Sequence, residues 1–267
     1  MSLLYLLMLA VVQGITEFLP VSSSGHLILL PAIMGVDDQG TALDVAVHVG
    51  TLGAVLLYFH RDVARAISGV PGLLRADISG PNAKLAFLLI IATIPVVIAG
   101  LVLKLTGLVD VLRSPVIVGW STIVFGLFLY WADKTGQETK TSDDWTLRDA
   151  VTMGLWQAVA LIPGTSRSGV TITASRLLGY TRTEGARIAM LMSIPTIIAS
   201  GVLLAGDVVA EANWQLAREA GIAALMAFAA ALLALALMMR LLKTVSFTPY
   251  VIYRMFLGAA ILWFAYA

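Results

Sequence analysis

Cysteine is absent from this chain of 267 residues, which excludes disulfides and thiolate metal sites and leaves the compartment open. Charge is almost as scarce: Lys, Arg, Asp and Glu make up 12% of the residues against 59% hydrophobic ones, and the mean hydropathy is +0.92. A water-soluble domain of this length needs far more polar surface, so the chain reads as an integral membrane protein. A formal net charge of +1 supplies no broad basic face for nucleic acid, and no run of like charges marks an acidic or basic tail. The N-terminus has neither a positive n-region nor a small-residue cleavage site, so residues 1–19 are expected in the mature protein. Long polar segments are missing too. The longest, 60–84 and 133–149, are read as polar connections, too short for a separate soluble domain.

What the chain has instead is apolar runs. Six, near 41–59, 85–107, 115–132, 186–206, 219–239 and 249–266, are long enough for a hydrocarbon core of about 30 Å, which takes roughly 20 helical residues. Two further hydrophobic regions are interrupted: 3–35 at Pro20-Val21-Ser22-Ser23-Ser24-Gly25, and 150–179 at Pro163-Gly164-Thr165-Ser166-Arg167-Ser168-Gly169. The piece after each break amounts to about 15–16 Å of helix, half a membrane. Both regions are read as re-entrant helix–loop–helix hairpins, which need their broken backbone buried in protein or lining a polar cavity. The competing reading is eight ordinary spans with polar kinks.

One hairpin plus three full spans in each half turns the second half upside down relative to the first. The expectation is an all-α polytopic protein: a single membrane domain of two inverted-topology repeats, about 1–132 and 150–267, with hairpin tips meeting near the midplane. Eleven of the 17 Lys and Arg residues fall on one face; Lys104, Arg113 and Arg218 fall on the other, and Arg167, Arg176 and Arg254 lie within hydrophobic segments. That bias places the first face in the cytoplasm and both termini outside.

The two breaks are versions of one sequence. At an offset of 144, Gln13 pairs with Gln157, Ser22 with Ser166, Ser24 with Ser168, Gly25 with Gly169 and Gly35 with Gly179. Gln13 and Glu17 share a helix face pointing toward the first break. A helix restarting after each break presents open N–H groups and flanking hydroxyls, a site for an anion such as phosphate, and Arg167 adds a planar donor suited to phosphoryl oxygens. A cation deep in a bilayer costs roughly 2.5–3.5 kcal/mol and marks a functional path. Duller readings exist: serines as N-caps, Gln13 as a helix–helix hydrogen bond, His26 as a satisfied buried imidazole, Glu17 and Arg167 as a structural ion pair. Asp44 and His48 are read as supporting the site from behind or as a helix–helix contact. Arg254 is expected to reach the cytoplasmic interface, and Arg176 is a candidate for the substrate. Gly50, Gly53 and Gly100 are candidates for close helix approach. A carboxylate, a hydroxyl, an imidazole and a guanidinium together suit phosphoryl transfer, with the phosphate carried on a lipid.

At these residues the chain resembles the bacterial undecaprenyl-diphosphate phosphatase family, also known for bacitracin resistance, over essentially its whole length. The family's (E/Q)xxxE motif stands as Gln13-Gly-Ile-Thr-Glu17, running on to Ser22-Ser-Ser-Gly-His26; its PGxSRSGxT motif stands as Pro163 to Thr171; and Phe247 to Arg254 also matches. The resemblance implies hydrolysis of undecaprenyl diphosphate to undecaprenyl phosphate and phosphate, recycling the carrier for peptidoglycan. It also implies a divalent cation (Mg or Ca) and a site in the inner membrane reached from its outer face. Carried over, Glu17, Ser23, His26 and Arg167 are catalytic candidates, with Glu17 the metal ligand. Gln13, Ser22, Ser24, Gly164, Thr165, Ser166, Ser168 and Thr171 are substrate-binding candidates. Gln13 fills a position often held by Glu, leaving metal ligation mainly to Glu17, and Ser24 replaces a frequent Thr. The nucleophile is left open between Ser23, His26 and a metal-activated water. The partners implied are a polyprenyl diphosphate and membrane lipids, with a homodimer open. The rival function is a polyprenyl-phosphate flippase or secondary transporter using the same site.

Overall fold

The computed structural model describes residues 3–35, 40–211 and 213–267. Twelve α-helices follow one another among them: α1 (Leu3–Thr16), α2 (Ser23–Met34), α3 (Thr41–Tyr58), α4 (His60–Leu74), α5 (Pro81–Thr106), α6 (Leu108–Leu112), α7 (Pro115–Thr135), α8 (Leu147–Val159), α9 (Arg167–Leu177), α10 (Arg182–Glu211), α11 (Trp214–Leu241) and α12 (Thr248–Tyr266). Starts are set by local chemistry. Proline opens α5, α7 and α12, where a missing N–H costs nothing, and Asn213 caps α11 by accepting from Leu216 N at 2.9 Å.

Six helices, α3, α5, α7, α10, α11 and α12, are long and apolar enough to cross a membrane, matching the six apolar runs. The protein is a multi-pass, all-helical membrane protein. The four pieces α1, α2, α8 and α9 have 14, 12, 13 and 11 residues, each too short to cross alone. They are embedded crosswise: α1 packs on α11 and α8 on α5, so each interrupted segment is clasped by a span from the opposite half of the chain. Gly50 of α3 lies so close to the Ala224 backbone of α11 that a Cβ would collide with it, and Gly53 faces Phe228; Gly100 meets only Leu161 at ordinary distance.

The stretch 60–84 is not the polar connection its charges suggested. Residues 60–74 form α4, which turns Val63 and Ala66 inward while Asp62 clamps Arg187 of α10 (Nη2–Oδ1 2.6 Å, Nε–Oδ2 2.9 Å). A helical period hidden under surface charge was the missed signal. Arg176, the candidate for the substrate, is committed to protein contacts. It is 1% exposed at the end of α9, donates to the carbonyls of Tyr180 and Gly136, and pairs with Asp133 at 3.3 Å, which also holds Arg182 and the Phe247 N–H. Nearby, burial opposes the charge of Asp149, but the donors Tyr180 and Lys140 help to hold its carboxyl below the usual range.

Candidate active site

Pro20 cannot continue the α1 ladder, and the buried side chains of Phe18 and Val21 anchor the chain as it turns, with Val21 N–H donating to Leu19 O at 2.7 Å. The turn ends at Ser22 with φ 73° and ψ 95°, a region costing a non-glycine residue about 1–3 kcal/mol. Ser22 then caps α2, its Oγ accepting from Gly25 N at 3.4 Å. The second break repeats this conformation. Ser166 has φ 70° and ψ 112°, and its Oγ accepts from Gly169 N at 3.1 Å. Ser22 lies 3.1 Å from Ser24, and Ser166 lies 3.1 Å from Ser168.

The two breaks bind each other directly. Gly164 N donates to Ser24 Oγ at 3.0 Å, and Ser168 Oγ donates to Leu19 O at 3.0 Å. Helix α7 backs the second break: Ser121 donates to Pro163 O at 2.5 Å and Thr122 to Gly164 O at 3.2 Å. At Gly164, with φ 91°, a side chain would strike Ser121, so glycine is required there by packing.

Glu17, 7% exposed, is the centre of the assembly. Arg167 forms an ion pair with its Oε1 and also donates to Ser193 O of α10 at 3.1 Å, within a turn of Pro195. Glu17 Oε2 accepts from Gln13 Nε2 at 2.8 Å and from Ser23 Oγ at 3.2 Å. His48 lies beside them, its Nε2 3.2 Å from Gln13 Nε2 and 3.7 Å from Glu17 Oε2. Because His48 Nδ1 meets the Asp44 carbonyl at 2.7 Å, Nδ1 carries a proton, and Nε2 faces the cluster. The side chains of His48 and Arg167 are 37% and 17% exposed, so the buried carboxylate borders accessible space. The free N–H groups of the first turns of α2 and α9 add their dipoles, and the arrangement can hold an anion while a carboxylate activates a hydroxyl.

The other expected residues divide. Ser22 and Ser166 are caps, Ser24 and Ser168 are cross-links between breaks, and the Thr165 hydroxyl is buried without a partner. Thr171 spends its hydroxyl on the carbonyls of Arg167 and Ser168 and lies fully buried, so it is not brought to the cluster. His26 is near but turned aside: Nδ1 bonds Ser22 O at 2.7 Å, and Nε2 bonds Tyr253 OH at 2.6 Å with the two rings stacked. Arg254 does not reach an interface; it is fully buried against both breaks. Tyr253 beside His26 and the near position of His48 beside Glu17 are the contacts at the candidate site that sequence reasoning missed. Nothing local marks Tyr253 beyond its place in the Phe247–Arg254 run.

The profile of the family described as "Bacitracin resistance protein BacA" matches residues 6–260. The chain belongs to the BacA family. Over 267 residues, with both chains fully covered, it is 67% identical to a protein named undecaprenyl-diphosphatase from Jannaschia sp. (strain CCS1) and 63% identical to one of the same name from Ruegeria pomeroyi. A relative of that name from Saccharophagus degradans is 44% identical over 270 residues, covering 99% of this chain and all of the relative.

The cation that BacA-family membership implies can be tested against these donors. No group of three His, Cys, Asp or Glu side chains that could hold a metal occurs among the described residues. Gln13 must present its NH2 to the Glu17 carboxylate, which leaves Gln13 Oε1 buried and without a partner. Its copy Gln157 has the same unpartnered oxygen, so the orphan does not by itself mark a cation site; Glu17 and Gln13 Oε1 are the oxygens a hard cation such as Mg would have here, with water and phosphate completing its shell.

Proposed function

We propose that the protein is an undecaprenyl-diphosphate phosphatase of the bacterial inner membrane. It hydrolyses undecaprenyl diphosphate to undecaprenyl phosphate and phosphate, returning the carrier to cell-wall synthesis and opposing bacitracin. The observation that carries this reading is the meeting of Glu17 and Ser23 from one break with Arg167 from the other. The names of the full-length relatives point the same way. In this reading the interrupted segments are re-entrant hairpins of two inverted repeats, a layout supported by the matched Ser22 and Ser166 conformations and the reciprocal clasping of α1 and α8. The positive-inside bias supports a cytoplasmic basic face and outer termini, and the family resemblance implies a site reached from the outer face.

Arg167 and the starts of α2 and α9 bind the diphosphate and stabilise charge on the transferring group. Ser23 Oγ passes its proton to Glu17, already its acceptor, as the Oγ–P bond forms and the bond to the bridging oxygen breaks, releasing undecaprenyl phosphate. Water then attacks the phosphoserine, the Oγ–P bond breaks, the proton returns from Glu17 to Ser23, and phosphate leaves. His26 is occupied by Ser22 O and Tyr253 OH, which favours Glu17 as the base. A divalent cation, Mg or Ca, would be held by Glu17 and Gln13 Oε1 and would neutralise more of the diphosphate charge.

Purified protein given a polyprenyl diphosphate should release phosphate and carry a transient acid-stable label on Ser23. An acid-labile label moves the attack to His26, and no label moves it to water. Absence of any phosphate release defeats the enzymatic reading and favours the transporter.

A further inference from the structure

The mechanism leaves unused a buried cation that no carboxylate among the described residues compensates: Arg254, 0% exposed in the middle of α12. An unpaired charge removed from water is among the most expensive features a fold can keep, and bare packing needs no guanidinium. Its bonds are all to main-chain carbonyls: Nε to Thr122 at 3.0 Å, Nη1 to Pro20 at 3.3 Å, and Nη2 to Gly164 at 3.1 Å and Thr165 at 3.0 Å. Pro20 and Gly164 are 144 residues apart, so they are the same position in the two copies of the break. One rigid fork therefore grips both breaks at once, at matched points, from the side of α7.

We propose that Arg254 is a positioning residue: its fork fixes the spacing of the two breaks, and its uncompensated charge draws the diphosphate anion to them. The spacing matters because Glu17 and Ser23 come from one break and Arg167 from the other, and a misplacement of about 1 Å can cost 10²-fold in rate. Peptide planarity adds a local effect. With the Thr165 carbonyl turned toward Arg254, the Ser166 N–H points away from it. This inference rests on the phosphatase reading, since it needs an anion and a reaction whose groups are divided between the breaks.

The test compares Arg254→Lys, which keeps charge without the fork, with Arg254→Met, which keeps neither. In detergent-purified protein, Arg254→Lys should melt within a few degrees of wild type, lower kcat about tenfold or more and leave KM within about threefold. Arg254→Met should in addition weaken inhibition by methylene diphosphonate about tenfold or more. A folded Arg254→Lys with wild-type kcat, or an Arg254→Met that binds the diphosphonate as wild type does, overturns the proposal. Should Arg254→Met fail to accumulate, Gly169→Ala decides, because its new Cβ would lie nearest Arg254 Nη1, at 2.9 Å, with Ser166 Cβ and Oγ at 3.1 and 3.2 Å, so Ser166→Gly is made alongside as the control for the cap. Gly169→Ala should lower kcat in the wild-type background and add less than twofold in Arg254→Lys, where no Nη1 remains; multiplicative losses count against the proposal. Wild type that releases no phosphate ends the phosphatase reading and leaves diphosphonate binding to judge Arg254. Wild type that does release it, beside an unaltered Arg254→Lys, ends this inference alone.

Discussion

The two breaks have the same backbone and opposite chemistry. Ser22 and Ser166 share a strained conformation and the same cap, and Ser24 and Ser168 each reach across to the other copy. Yet at the offset of 144, Glu17 stands opposite Leu161, His26 opposite Val170, and Ser23 opposite Arg167. One copy keeps the acid and the hydroxyl, and the other keeps the guanidinium. Had both copies kept the same set, two like charges would face each other across a desolvated gap, which the low dielectric penalises heavily. Division of charge between copies lets a repeated scaffold form one asymmetric site.

The largest test of that division is at the ion pair. Glu17→Gln and Arg167→Ala should each lower kcat/KM by about 10²–10³-fold, the range for loss of a preorganised charged group in a dry site. Because the two side chains share one contact, the double variant should fall less than the product of the single losses. Arg167→Lys should recover little, since an ammonium cannot reach Glu17 and Ser193 O together as the planar fork does. Steady-state kinetics on protein of matched melting temperature checks all four; multiplicative losses would mean that the pair does not act as a unit.

Much of this comparison was legible before any coordinates. The six spans follow from run length and hydropathy, and both breaks stood out because hydroxyls, Pro and charge interrupt otherwise continuous apolar sequence. The Glu17–Arg167 meeting was legible because intramembrane charges are few and the repeat brought their segments into register. Two kinds of feature stayed hidden. Helix α4 carries enough surface charge to read as a connection, although Val63 and Ala66 keep a helical period. Tyr253 and Arg254 meet residues more than 80 positions away only through packing of α12, which no local pattern encodes. Thr171 fails for a different reason: one turn into a helix, a threonine hydroxyl returns to its own backbone.

A sharper contrast lies in the paired glutamines. Gln13 donates to Glu17, whereas its copy Gln157 donates to Ala92 O of α5 at 3.3 Å. Loss of a hydrogen bond to a charged group costs roughly 1.5–3 kcal/mol, so Gln13→Leu should lower kcat/KM about tenfold or more with little change in melting temperature. Gln157→Leu should do the reverse, lowering the melting temperature by a few degrees while leaving kcat within about threefold. Equal kinetic losses at both positions would erase the distinction between a working copy and a structural one. Tyr253→Phe belongs lower on the scale. It removes one hydroxyl from His26 Nε2, worth about 1 kcal/mol, and should reduce kcat about fivefold. A loss as large as that of Glu17→Gln would return His26 to the centre of the chemistry.

The smallest effects test the shared backbone itself. Alanine at Ser22 or Ser166 removes the cap, worth about 1 kcal/mol, and keeps a side chain at positive φ. Glycine also loses the hydroxyl but sits at an N-cap for only a few tenths of a kcal/mol and accepts positive φ freely. At each position the glycine variant should therefore melt above the alanine variant, by a gap of about 1–2 kcal/mol in stability. What matters for the comparison is that the gap be the same at 22 and 166, because the strain is set by the fold of the break and not by the charges grafted onto it. Thermal unfolding of the four variants in one detergent reads this directly. A gap at one position only would mean that the two copies reach their similar dihedrals by different routes, and that the scaffold is less repeated than its sequence.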